Sequence, residues 1–262
     1  MRSVRDPIAG VKPPAPGPIS RTMANAPAVG VRAADVGDGG EDVYYTGDRP
    51  EIRALLPADA RRVLDVGCGA GTLGAALKAQ TGAEVAGIEL FEEAAALAET
   101  RLDAVHRLDL QTLTELPYPD GYFDAMTFGD VLEHMHDPHG LLRTLRRYLG
   151  DGGTIVCSIP NVKHWTVVLD LIVRDRWRYD DKGLLDRTHV HFFTLEEIGE
   201  MLDEVGFDPD TVQATTIGPA PPPVEQLADF AATFGESRDE VLARLTAYQY
   251  VIRARRRADT PA

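Results

Sequence analysis

Apolar and polar positions change period along this chain, and each change marks an element. Val63, Leu64 and Val66 form a short apolar run broken by Asp65, and Leu73, Ala76 and Leu77 then recur at helical spacing. Gly67, Gly69 and Gly71 stand between them at alternate positions. The pattern predicts strand, glycine turn and helix over 63–77, with Thr81-Gly82 ending the helix. Glu84–Glu89 (EVAGIE) predicts a second strand, and an Ala- and Glu-rich helix follows from Phe91 to Leu102. His106–Leu110 predicts a third strand, and Phe123–Phe128 a fourth that continues into GDVLEH. Pro138 opens a helix with Leu141, Leu142, Leu145, Tyr148 and Leu149 on one face. Asp151-Gly152-Gly153 closes it, and Thr154–Ile159 predicts a fifth strand.

The alternation then breaks. Pro160-Asn161 leads into an apolar helix around Val167–Val173 and on to RDRWRYDDKGLLDRTHVHFF. Thr194-Leu195-Glu196-Glu197 is a capping box opening a helix that carries Ile198, Met201, Leu202 and Val205 and closes at Gly206. Phe207–Thr216 predicts a sixth strand, PAPPP (219–223) a linker, 224–246 one or two helices, and Tyr248–Ala254 a last strand. Ahead of this order, Glu51–Leu56 predicts a short helix closed by Pro57. Strands alternating with helices at this spacing define an α/β fold with a doubly wound, mostly parallel seven-stranded sheet. Residues 1–40, rich in Pro, Ala and Gly, predict a disordered tail. Residues 41–262 predict one domain, with 160–193 as an acceptor-side lid and 217–246 as an insertion before the last strand.

Composition narrows the function. The 262 residues are 44% hydrophobic, enough for one sizeable core. A formal charge of −14 argues against a nucleic-acid partner, and the basic RARRR at 253–257 reads as a solvated end. Cys68 and Cys157 are too far apart in sequence to suggest a disulfide framework or a zinc site. No apolar run approaches a membrane span, and the N-terminus has no apolar signal segment. The expectation is a cytoplasmic protein with a small-molecule partner and no membrane contact, with monomer and homodimer both open.

Ligands of doubly wound sheets lie beyond the carboxyl ends of the strands. The glycine turn ends the first strand there, and backbone N–H groups at the following helix start suit a nucleotide. Glu89 ends the second strand, where a carboxylate can accept bonds from both ribose hydroxyls, and Asp109 ends the third, where it can meet an adenine amino group. Gly129-Asp130 ends the fourth. A dinucleotide turn reads G-x-G-x-x-G, but Thr72 occupies the position of its third glycine. The G-x-G-x-G found here suits a ligand without a pyrophosphate, such as S-adenosylmethionine, better than NAD. Tyr44 and Tyr45 either pack over the sheet edge or cover that ligand.

With VLDVGCGAG (63–71), GIE (87–89), FDAMTFGDVLEHMHDP (123–138) and GGTIVCSIPN (152–161) in this order, the chain resembles the class I S-adenosylmethionine-dependent methyltransferases, whose sheet is Rossmann-like. GLLDRTHVHFFT (183–194) resembles a bacterial subgroup that includes stand-alone enzymes and domains attached to glycosyltransferases, usually with Arg at the position of His191. The resemblance implies that Gly67, Cys68 and Gly69 contact the methionine part through backbone atoms while Asp65 orders the turn. It implies that Glu89 holds the ribose, Leu90 lies beside the adenine, and Asp109 and Leu110 meet the adenine edge. It further implies that the Gly129 carbonyl approaches the methionine ammonium, with Asp130 or His134 lining the pocket.

Methyl transfer asks the protein mainly to align the acceptor atom and exclude water. A hydroxyl acceptor must also lose a proton, for which histidine is suited. His189 is the first candidate for that base, with Asp186 orienting it or paired with Arg187, and His164 is the second. A plainer role for His189 is a bond to a backbone carbonyl. Asn161 and Arg187 are candidate acceptor contacts, and Trp165, Trp177 and Tyr179 candidate aromatic walls. Phe192 and Phe193 read as core. Asp130, Glu133, His134, His136 and Asp137 crowd together, but adjacent Glu133 and His134 would face different sides of a helix, so no metal is expected. These readings converge on methyl transfer from S-adenosylmethionine to an oxygen of a specialised metabolite or sugar-like molecule. The alternatives are N-methylation of a small molecule or peptide and a non-catalytic cofactor-binding protein.

Overall fold

The structure, a computed structural model, describes residues 47–259. The expectations for the tail and for Tyr45 fall outside them. Seven strands form one sheet: β1 (Arg62–Val66), β2 (Glu84–Glu89), β3 (Ala104–Arg107), β4 (Phe123–Gly129), β5 (Leu149–Pro160), β6 (Phe207–Thr215) and β7 (Gln249–Arg256). Their order is β3-β2-β1-β4-β5-β7-β6. All neighbours pair in parallel except β7, which runs antiparallel to both β5 and β6. The order reverses beside β1, so the crevice of this sheet opens beyond Val66 and Gly129.

The helices are α1 (Pro50–Arg53), α2 (Thr72–Thr81), α3 (Glu92–Glu99), α4 (Pro138–Arg146), α5 (Trp165–Arg174), α6 (Leu195–Glu204), α7 (Pro222–Ala232) and α8 (Arg238–Thr246). The central strands are apolar at successive positions because both faces of the sheet are covered. One face packs Leu64, Ile88, Met126 and Ile155 with α4 and α6. The other packs Val63, Val85, Ala125 and Val156 with α1 and α2. A smaller cluster joins α5, α7 and α8 through Val168, Leu169, Val224, Ala228, Val241 and Leu245.

Several boundaries differ from the sequence reading for local reasons. β3 occupies Ala104–Arg107 rather than 106–110, because the Asp109 carboxylate accepts the Gln111 N–H at 2.9 Å and turns the chain. β4 stops at Gly129 instead of continuing through GDVLEH, since Asp130 takes a left-handed φ of 56° and a single 3₁₀ turn, Leu132–His134, follows. β5 starts at Leu149 and runs through the Asp-Gly-Gly expected to precede it, with a register shift against β4. The proline linker ends inside a helix, because Pro222 sits in the first turn of α7, where its missing N–H costs nothing. The α6 capping box forms as expected, with Thr194 and Glu197 bonded reciprocally.

Candidate active site

Parallel registers bring the ends of β1, β2 and β4 to one edge: Val66 pairs with Ile88 and with Phe128, and Gly129 with Ser158 of β5. The glycine turn leaves β1 with φ of 69°, 53° and 76° at Gly67, Gly69 and Gly71. At Gly67 a Cβ would also lie 2.8 Å from the Val131 side chain. Close packing of α2 on the sheet depends on Gly74, where a Cβ would meet Leu102 at 2.6 Å. The packing glycine of the dinucleotide pattern is thus present, but two residues later than that pattern places it.

Buried Asp65 ties the turn together. One oxygen of its carboxylate accepts the Thr127 hydroxyl at 2.7 Å, while burial pushes its pKa up to about 6. Arg101 closes the outside of the turn by donating to the Ala70 carbonyl at 2.8 Å. Cys68 donates its backbone N–H to Ile88 and packs its sulfur over Gly87. Burial holds that thiol well above its ordinary pKa, so it is an uncharged packing group.

Glu89 is buried at the mouth of the crevice. One carboxylate oxygen accepts the Gly69 N–H at 2.9 Å and the other the Phe91 N–H at 2.9 Å. Each oxygen keeps a lone pair for a further donor. Leu90, beside it, is 47% exposed, and Asp109 and Leu110 are half-buried past β3. These residues present an acidic group flanked by apolar ones at the edge of the glycine turn, which suits a nucleoside carrying no phosphate.

Asp130 is not a free carboxylate. It accepts from Arg49 Nη1 at 2.6 Å, from Ser158 Oγ at 2.9 Å and from Gln249 Nε2. Arg49 also donates to Ser158 Oγ at 2.8 Å and to Glu51 at 2.7 Å. Sequence reasoning missed Arg49, Ser158 and Gln249, which come from positions 81, 28 and 119 residues away from Asp130 and carry no local motif.

The lid residues separate into three groups. Asn161 is fully buried and fastens the lid: its amide donates to the Arg244 and Ala247 carbonyls at 2.8 and 2.7 Å, and its oxygen accepts the Lys163 N–H at 3.0 Å. Both amide hydrogens are used, and full burial closes the side chain off from an acceptor. His164, also fully buried, caps α5, with Nδ1 2.8 Å from Thr166 Oγ1, and burial pulls its pKa down to about 4. Trp165 joins the α5–α7–α8 cluster.

Trp177 and Tyr179 lie elsewhere, with ring centres 5.0 and 6.1 Å from Phe192. The ring path continues from Phe192 to His189 at 6.2 Å and from His189 to His134 at 4.8 Å. His189 is buried, with Nδ1 3.2 Å from the Leu184 carbonyl, so the plainer bond anticipated for it is present and engages only one of its two ring nitrogens. Burial, reinforced by His134, holds its pKa below the ordinary imidazole value. The Asp186 carboxylate bonds neither the His189 ring nor Arg187, although its backbone carbonyl accepts the His189 N–H at 3.0 Å. It accepts from the Thr188 N–H and hydroxyl at 2.8 and 2.6 Å, while Arg187 pairs with Asp181 at 2.6 Å.

Glu133, set aside in the sequence as a metal ligand because it adjoins His134, is the most unusual group here. It is 1% exposed, both carboxylate oxygens lack a hydrogen-bond partner among the described residues, and burial followed by the charge of Asp130 raises its pKa well above the carboxylate range. Its adjacency to His134 does not separate the two, because they lie in a tight turn rather than a regular helix. One donor atom each from Glu133, His134 and His189 lies within 4.8 Å of the others.

The sheet order, the glycine turn at its reversal and the acidic end of β2 define a nucleoside-cofactor enzyme of the doubly wound α/β class. The chain belongs to the methyltransferase-domain family, whose model matches residues 45–212. It is an S-adenosylmethionine-dependent methyltransferase. A ubiquinone biosynthesis O-methyltransferase from Thiobacillus denitrificans is 30% identical over 174 residues, which cover 64% of this chain and 73% of that one. A SAM-dependent methyltransferase from Archaeoglobus fulgidus superposes with a TM-score of 0.56 at 21% identity, covering 82% of this chain and 97% of its own. A chain named the [4+2]-cyclase SpnF gives 0.56 at 20% identity, covering 92% of each. At these identities the likeness is one of fold, and the same fold carries a differently named reaction. Among the described residues, no helix is long and apolar enough to cross a membrane.

Proposed function

We propose that this chain moves a methyl group from S-adenosylmethionine to an oxygen of a small molecule, a ring-borne hydroxyl of the specialised-metabolite or sugar-like kind. The observation that carries this reading is His189, a buried imidazole kept uncharged, at the inner end of a ring path entered by way of Trp177 and Tyr179. An uncharged imidazole can take the hydroxyl proton as the oxygen attacks the methyl carbon. The flat apolar rings favour a ring-shaped acceptor. The O-methyltransferase name of the Thiobacillus relative supports oxygen over nitrogen.

On the cofactor side, Glu89 accepts from the ribose hydroxyls, Gly67, Cys68 and Gly69 offer backbone atoms to the methionine part, and Asp109 and Leu110 border the adenine. The Arg49–Asp130–Ser158–Gln249 network sets the chain beyond Gly129, where the carbonyl meets the ammonium group. The test is product mass after incubation with S-adenosylmethionine and matched panels of phenols, sugars and amines. Methylation at hydroxyls is expected, and methylation confined to the amines would overturn the reading.

A further inference from the structure

Two imidazoles and a carboxylate converge beneath the lid. Glu133 and His134 are supplied by the turn after β4, and His189 by the lid 55 residues beyond His134. A buried carboxylate such as that of Glu133, with no hydrogen-bond partner on either oxygen among the described residues, carries a heavy desolvation cost, and a native fold keeps such a group when something else satisfies it. Asp130 and Asp186 act electrostatically on Glu133 against the single cation Arg49, which is itself paired with Asp130 and Glu51, so among the described residues the acidic groups around the site outnumber the basic one. Sequence separation is no obstacle, because the Val190 and His191 N–H groups both bond to the Glu133 carbonyl and lock the lid onto the turn.

We propose that Glu133, His134 and His189 form a binding site for a divalent transition-metal ion of the Zn²⁺ or Co²⁺ type. The donor atoms lie within 4.8 Å of one another, and tetrahedral coordination at about 2.0–2.1 Å would bring them to about 3.3 Å apart, a side-chain adjustment. Imidazole donors select borderline transition ions over Mg²⁺ and Ca²⁺, which prefer all-oxygen shells. Three protein ligands leave a coordination position open. The His189 contact to Leu184 uses Nδ1, and a second-shell bond of this kind suits coordination through Nε2.

The chemical consequence rests on the acceptor-side reading above. A hydroxyl in the open position would lose its proton more readily, so His189 would serve the same deprotonation as a ligand when the ion is bound and as the proton acceptor itself when it is not. Ion binding itself does not depend on that reading and is measured without cofactor or acceptor.

The full-length chain, stripped with a chelator and dialysed, is titrated with Co²⁺ and followed by its visible d–d absorption. One equivalent should bind, Zn²⁺ should displace it, and Mg²⁺ should not. Glu133→Gln and His134→Ala should each weaken Co²⁺ binding at least about tenfold. Circular dichroism checks the fold of each, and His134→Ala, at a half-buried position, carries the test if Glu133→Gln does not fold. Absent d–d bands, displacement by Mg²⁺, or unchanged affinity in the folded variants would each overturn the site. Ion binding in a chain that methylates no hydroxyl would instead count against the proposed function alone.

Discussion

Glu89 and Gly69 are joined across the crevice: the carboxylate at the end of β2 accepts the turn's own N–H at 2.9 Å. The acidic residue therefore has a structural duty besides the ribose contact proposed for it. Its second oxygen accepts from Phe91, so both loops beside the crevice are held by one side chain. Glu89→Gln keeps an acceptor for the turn but removes the charge. S-adenosylhomocysteine affinity, measured by calorimetry, should fall about tenfold to a hundredfold, the range for a lost charge-assisted bond. Gly69→Val, at a φ of 53°, should abolish binding. Affinity retained in both variants would remove the cofactor assignment at this turn.

His189→Ala should separate chemistry from cofactor binding. Turnover should fall by about two to four orders of magnitude, the usual worth of a positioned proton acceptor, while S-adenosylhomocysteine affinity stays within about twofold. Trp177→Ala, which changes a ring 40% exposed near the start of the path, should raise the acceptor KM with a smaller effect on kcat. A fully active His189→Ala variant would reduce this histidine to its bond with Leu184.

The sheet, the glycine turn and the cofactor class were legible because their signals are local. Alternating strands and helices, three glycines and Glu89 all lie within one βαβ unit, where spacing maps directly onto geometry. The lid was less legible because its roles come from residues distant in sequence. Asn161 looked like an acceptor contact beside Pro160, and only the return of α8 reveals the carbonyls its amide serves. His164 had the same promising position, yet its ring is an α5 cap. Glu133 is set aside as a metal ligand in the sequence because it adjoins His134, and nothing in LEHMHDP shows that 183–193 folds over it and brings His189 close.

Asn161→Ala tests the fastening of the lid. It removes three hydrogen bonds at a fully buried position and leaves the Arg244 and Ala247 carbonyls short of a donor. At about 1 kcal/mol for each bond, the loss should be about 3 kcal/mol in urea unfolding. A loss below about 0.5 kcal/mol would mean that α8 and the lid are held by apolar packing alone.

His164 makes stability depend on pH in a direction that can be worked out. Its folded pKa, about 4, lies below the ordinary imidazole value of about 6.5, so the unfolded chain binds the extra proton first as pH falls. The contribution is fully present above about pH 6.5 and is lost progressively towards pH 4. Asp65 acts in the opposite sense: with a folded pKa of about 6, the folded state takes up its proton first, and stability is gained as pH falls through that value. The two slopes oppose each other in the natural chain, and a variant exposes them. His164→Asn keeps an oxygen to accept the Thr166 N–H at the start of α5 but cannot titrate. Between pH 7.5 and 4.5 its unfolding free energy should rise relative to the natural chain by about 2.5 kcal/mol. Urea titrations of both proteins at the two pH values measure this directly. An unchanged difference would show that the imidazole is solvated in the native state, and the buried cap at the base of the lid would have to be abandoned.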